Sequence, residues 1–136
     1  MVIGGRVTLA TGSCEREAAV KMVKDISGSR RKTVGSDKAY DHREYVQRLR
    51  QLNVSAHVAQ KSKGSAIDGR TIRHEGDDLS QRIRKRVEEI FGWIKTIGLL
   101  RKTRHRGREK VNGIFLFTLG IYNLVRMRNL GVAMQP

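Results

Sequence analysis

A chain of 136 residues is long enough for one domain with a real core and little more. Its 28 Lys and Arg against 13 Asp and Glu give a formal net charge of +15, an excess that a solvated surface does not need and that implies a polyanionic partner. Cys14 is the only cysteine, which excludes a disulfide framework and a cysteine-based zinc site, and His42, His57, His74 and His105 show no metal-ligand spacing and read as surface or phosphate-contacting residues.

The basic residues are spread through periodic segments and form no single polybasic tail, so DNA or RNA is favoured over a membrane surface. An RNA-coating protein remains open on composition alone. Residues 1–6 (MVIGGR) lack the apolar core of a signal peptide, and the expected location is the cytoplasm. The most apolar run, Gly113 to Val125, is shorter than the ~20 residues a membrane helix needs and reads as a buried helix.

In chain order, residues 2–9 (VIGGRVTL) read as a short strand weakened by Gly4-Gly5. Ser13 is placed to cap a helix in which Ala18, Ala19, Met22, Val23 and Ile26 share one face, ended by Gly28. Residues 30–36 form a strand leading into Asp37. Asp41 is placed to cap a helix with Tyr45, Val46, Leu49 and Leu52 as its apolar positions, and residues 54–59 are again strand-like. The order strand, helix, strand, helix, strand predicts an α/β layer with parallel strands. Residues 60–78 have the composition of a surface loop. A long helix over roughly 79–97, a basic loop at 98–109 and a helix over roughly 110–127 follow, with 128–136 as a frayed tail.

In the long helix, at ~100° per residue, Ile83, Val87, Ile90, Phe91, Ile94 and Ile97 make one stripe, expected to pack on the sheet. Arg84, Glu88 and Lys95 form a polar row along its edge, while Glu89 falls on the far side with Arg82 and Arg86. An Arg84–Glu88 ladder on the surface is the simpler account, worth ~0.2–0.5 kcal/mol. A functional account needs a second acid. Asp37, at the carboxyl end of a strand, where ligands of open α/β sheets bind, is that acid, although a turn or cap role fits it equally. Two such carboxylates can hold Mg²⁺ beside phosphate-gripping cations.

Two motifs then carry a resemblance. Ser36-Asp37-Lys38-Ala39-Tyr40-Asp41 is similar to the segment around the second catalytic aspartate of bacterial insertion-sequence transposases of the DDE type, in the IS-four and IS-five groups. Arg84, Glu88 and Lys95 match the last three elements of that family's spaced tyrosine, arginine, glutamate and lysine pattern. The stretches ATGSCEREAA, GSAIDGRTIRHEG, KTIGLLRKTRHRGREKV and YNLVRMRNL extend the resemblance over nearly the whole chain.

The resemblance implies a truncated ribonuclease-H-like fold, with Asp37 and Glu88 as two of three acids ligating Mg²⁺ or Mn²⁺ for hydrolysis and strand transfer at transposon ends. It implies Arg84 and Lys95 on DNA phosphates, and a partner list of duplex DNA carrying terminal inverted repeats, a further copy, or a full-length transposase. Arg101, Lys102, Arg104, His105, Arg106 and Arg108 read on physical grounds as a phosphate-gripping loop. Two departures stand out: Gln81 occupies the tyrosine position, and the first catalytic aspartate is expected upstream of Met1, with the first two strands of the fold. On that reading the chain alone is inactive. A non-catalytic DNA-binding protein that modulates a full-length transposase is the alternative.

Overall fold

The computed structural model describes residues 1–69 and 75–133. Among them it is mixed α/β: α1 (Cys14–Asp25), β1 (Lys32–Ser36), a 3-10 turn (Lys38–Tyr40), α2 (Arg43–Gln51), β2 (Val54–Val58), α3 (Glu75–Thr96) and α4 (Arg108–Ala133). The chain divides into two compact units, one of Thr11–Val87 and one of Met1–Ala10 with Glu88–Pro136. Most of the second half of α3 therefore counts with the second unit.

In the first unit β1 and β2 are parallel, with Lys32 opposite Val54 and Ser36 opposite Val58. Parallel neighbours need a crossover, and α2 supplies it. The α2 stripe is as the period predicts: Tyr45, Val46 and Leu49 are buried and pack with Val54, Ala56 and Val58 of β2, Val20 and Val23 of α1, and Ile67 of the following loop. The helix begins one residue later than its expected cap implies. His42 is the cap residue, and Asp41 is instead buried at 2 % exposure. Its carboxylate accepts from the Lys61 and Ala66 N–H groups at 2.8 and 2.7 Å, which fastens the loop after β2 to the core.

Three other expectations change. Residues 2–9 form no strand. Their backbone is satisfied by side-chain amides of α4: Val2 N–H donates to Asn123 Oδ1 at 2.8 Å, Asn123 Nδ2 donates to the Val2 carbonyl at 2.6 Å, and Val7 N–H donates to Asn112 Oδ1 at 2.9 Å. Gly5 permits this approach, since a Cβ there would sit 2.6 Å from both Leu119 and Phe115. Two asparagines thus take the hydrogen bonds that a neighbouring strand would have taken.

Second, the α3 stripe does not pack on the sheet. Ile83, Val87 and Phe91 are each nearly half exposed and Ile97 more so; Ile94 alone in the helix is buried. Within the first unit the helix meets the strands through small and polar residues. A Cβ on Gly35 would lie 3.4 Å from the Ser80 carbonyl, and one on Gly76 would lie 3.6 Å from the His57 ring. Small residues let a helix and strand approach closely, and Ser80 and Gln81 face the strand in place of the apolar stripe.

Third, the apolar run in α4 is not a buried helix. Thr118 and Leu119 are buried, while Phe117 and Leu124 are 70 % and 66 % exposed. The helix continues through residues 128–133, where a frayed tail was expected. Ile94 of α3 is buried in the same unit, and the Trp93 and Tyr122 rings meet edge to face at 5.4 Å. No helix among the described residues is long and apolar enough to cross a membrane.

Candidate functional site

Asp37 follows the last residue of β1, at its carboxyl end as the sequence predicts. Its Oδ1 accepts from Ala39 N–H at 2.7 Å, so the side chain caps the 3-10 turn. That bond fixes the carboxylate's direction while leaving its second oxygen without a bond among the described residues. Tyr40, two residues on, stacks obliquely on Tyr45 at 5.3 Å. Burial, then the charge of Glu15, pushes its phenol up, with Tyr45 and Asp37 adding to the effect and Arg16 opposing it. The start of α1 therefore stands beside the Asp37 turn.

Glu88 lies on α3 and is exposed, as Glu89 is. The expected contrast, with Glu88 at the core's edge and Glu89 in water, is not present. The surface ladder is absent too, because Glu88 makes no ion pair among the described residues. Arg84 is partly buried, and its Nε is a buried polar atom with no hydrogen-bond partner. Lys95 is exposed. Asp37 belongs to the first compact unit and Glu88 to the second.

The row carrying Arg84 has a second function in its N-terminal half. His57, expected at the surface, is buried on β2 at 9 % exposure, and its Nδ1 lies 2.8 Å from Ser80 Oγ and 3.9 Å from Asp77 Oδ1. Gln81, at the tyrosine position, donates its Nε2 to the His57 carbonyl at 3.1 Å. Asp77, Ser80 and Gln81 recur at helical spacing, so one face of α3 is fastened to β2 by polar contacts. Sequence reasoning missed this latch. A serine and a glutamine three and four residues before or after charged positions carry no period-sensitive signal of their own.

The basic loop is wholly exposed from Arg101 to Arg108. Leu99, at φ 55, and Gly107, at φ 94, bracket it with left-handed backbone. Gly98 anchors its start: a Cβ there would fall 2.5 Å from Thr118 Cγ2 and 2.7 Å from the Ile94 carbonyl. Rigid ends and an exposed middle suit a segment that presents cations to a polyanion. His74 lies outside the described residues.

The sequence profile of the Transposase DDE domain family matches residues 6–124. The chain belongs to this family. No curated protein and no solved structure matches it. The match takes in β1, α2, β2, α3 and the basic loop, and with them Asp37 and Glu88 of this transposase domain. Membership links the domain to transposition and, at that level, to DNA as substrate. Among the described residues no three His, Cys, Asp or Glu side chains converge as a metal centre.

Proposed function

We propose that this transposase domain binds duplex DNA through its basic loop and contributes Asp37 and Glu88 to the metal-binding acids of a ribonuclease-H-like catalytic centre. The observation that carries the reading is Asp37 at the carboxyl end of a parallel strand, inside the family match. Both side chains are hard oxygen donors, and each keeps a carboxylate oxygen without a partner among the described residues, which suits Mg²⁺ or Mn²⁺. The ion, when bound, would polarise a phosphoryl oxygen and acidify a water.

The residues of this chain do the rest. The Ala39 N–H orients Asp37. The guanidinium of Arg84, buried at Nε, and the exposed ammonium of Lys95 contact phosphates along one face of α3. The exposed cations at 101, 102, 104, 106 and 108 hold the duplex at transposon ends, in the bacterial cytoplasm. Few aromatics are available for stacking on single strands, which favours the duplex backbone.

Two acids do not make the three-acid set of the family, so the chain alone is expected to bind terminal-repeat duplex with steep salt dependence and not to nick it in Mg²⁺. Nicking by the purified chain that disappears in Glu88→Gln would overturn the inactivity, and duplex retention that is indifferent to salt would overturn the binding.

A non-catalytic modulator of a full-length transposase is a second reading, favoured by the Asp37 cap on the 3-10 turn. It requires duplex binding to survive Asp37→Ala and Glu88→Ala, and it requires the chain to reduce cleavage by an active transposase.

A further inference from the structure

A concave pocket of about 270 Å³ lies in the first unit between the starts of α1 and α2. Arg16, Arg43 and Arg48 line it, with Ser13, His42 and Tyr45. Two acids share the lining, but Glu44 is engaged with Arg48 at 3.8 Å, which leaves Glu17 to oppose the guanidinium groups of Arg16 and Arg43. Lys61 adds a further cation at the rim, its Nζ 3.3 Å from His42 Nε2.

The neighbouring cations also act on His42, after desolvation. Desolvation, then the charges of Lys61 and Arg16, holds its imidazole below the ordinary value, against a smaller opposing pull from Asp41. Arg16, Arg43 and Lys61 grouped around one concave surface favour an anion there. Ser13 and His42 are the cap residues of α1 and α2, and neither makes a side-chain cap hydrogen bond. The N-terminal ends of two helices, the positive ends of their dipoles, therefore line the same cavity as the arginines.

We propose that this pocket binds a single phosphate group, supplied in this chain by the backbone of duplex DNA. The inference rests on the DNA-binding reading above and extends it to a surface no motif marked. Arginine forks match phosphate oxygens bidentately, and the pocket is large enough to take a phosphodiester group.

The test uses the whole chain. His42 imidazole resonances are followed by NMR on adding inorganic phosphate and, separately, a terminal-repeat duplex. Duplex affinity is also measured against salt for the wild type and for Arg16→Gln/Arg43→Gln, with thermal melting to confirm that the variant is folded. An anion in the pocket raises the His42 pKa, so protonation persists to higher pH with either probe. Losing one phosphate contact lowers the log–log salt slope by about 0.9, and the double variant is expected to show at least that loss.

His42 shifts with inorganic phosphate, with the double variant's slope unchanged, would assign the pocket to free phosphate and overturn its place on DNA. No shift with either probe, in a chain that still binds duplex, would overturn the pocket and leave the DNA reading standing. A wild-type chain that does not bind duplex at all would instead sink the DNA reading.

Discussion

Gln81 on α3 donates its side-chain amide to the main-chain carbonyl of His57 on β2 across 3.1 Å. The carbonyl lies on the strand whose ring also meets Ser80 at 2.8 Å, so the two contacts brace one turn of helix against one strand. Gln81→Met keeps the length of the side chain and removes the donor. It is expected to cost about 1 kcal/mol, measured by urea unfolding. His57→Ala removes the ring bond and its packing together and should cost more. A Gln81→Met variant as stable as the wild type would show that the bond contributes nothing.

Asp41 should be the most costly acid to remove. Its buried carboxylate satisfies two backbone N–H groups, and Asp41→Ala orphans both, at about 1–3 kcal/mol each. The pH dependence follows from the balance at the carboxyl. Burial pushes it up, but bonds from the Lys61 and Ala66 backbones and the Ser65 hydroxyl, with the charge of Lys61, outweigh burial and hold it below the usual carboxylate value. A folded value below the unfolded one gives stability that is present above the unfolded pKa, about 3.9, and lost as pH falls through the folded value. Denaturant midpoints should therefore fall more steeply below about pH 4 in the wild type than in Asp41→Asn.

Asn123 is expected to act as the clamp on the N-terminal segment, because it both accepts from and donates to Val2. Asn123→Leu should collapse amide-exchange protection at Val2, while Val7, held by Asn112, keeps its own. Equal loss at both amides would point to α4 itself unfolding.

Gly98→Ala places a methyl 2.5 Å from Thr118 Cγ2 and 2.7 Å from a backbone carbonyl that cannot move aside. Overpacking of this kind typically costs about 1–3 kcal/mol, and the melting temperature should fall accordingly. Gly92→Ala, where a Cβ meets nothing within 4 Å, should raise helix stability by up to about 1 kcal/mol and serves as the control.

Arg104→Ala/Arg106→Ala removes two exposed cations from the basic loop. Duplex affinity should fall, with a salt slope smaller by about 1.8 and an unchanged melting curve. A slope identical to the wild type would remove those two residues from the interface.

Much of the first unit is legible from residue spacing. The α2 face of Tyr45, Val46 and Leu49, the two strands and the position of Asp37 after β1 all follow from periods of 3.6 and 2, because burial there is apolar and regular. Spacing also placed Arg84, Glu88 and Lys95 on one row of a single helix. It failed at residues 2–9, which read as a short strand, where two asparagines on a helix take the hydrogen bonds. It failed again at Asp41, whose cap-like position before α2 hid a bond to a loop twenty residues away.

By itself, then, the sequence determined the charge excess, the helix–strand succession from α1 to β2 and the family, since these depend on composition and on neighbours along the chain. Only the tertiary structure decided which side of α3 meets the sheet. Glycines at 35 and 76 let backbone and ring come close, so Ser80 and Gln81 turn inward with hydrogen bonds satisfied while Ile83 and Val87 remain half exposed. Hydrophobic period ranks faces by their solvent cost, but a close approach sealed by hydrogen bonds between elements can reverse that ranking, and those bonds depend on residues distant in sequence.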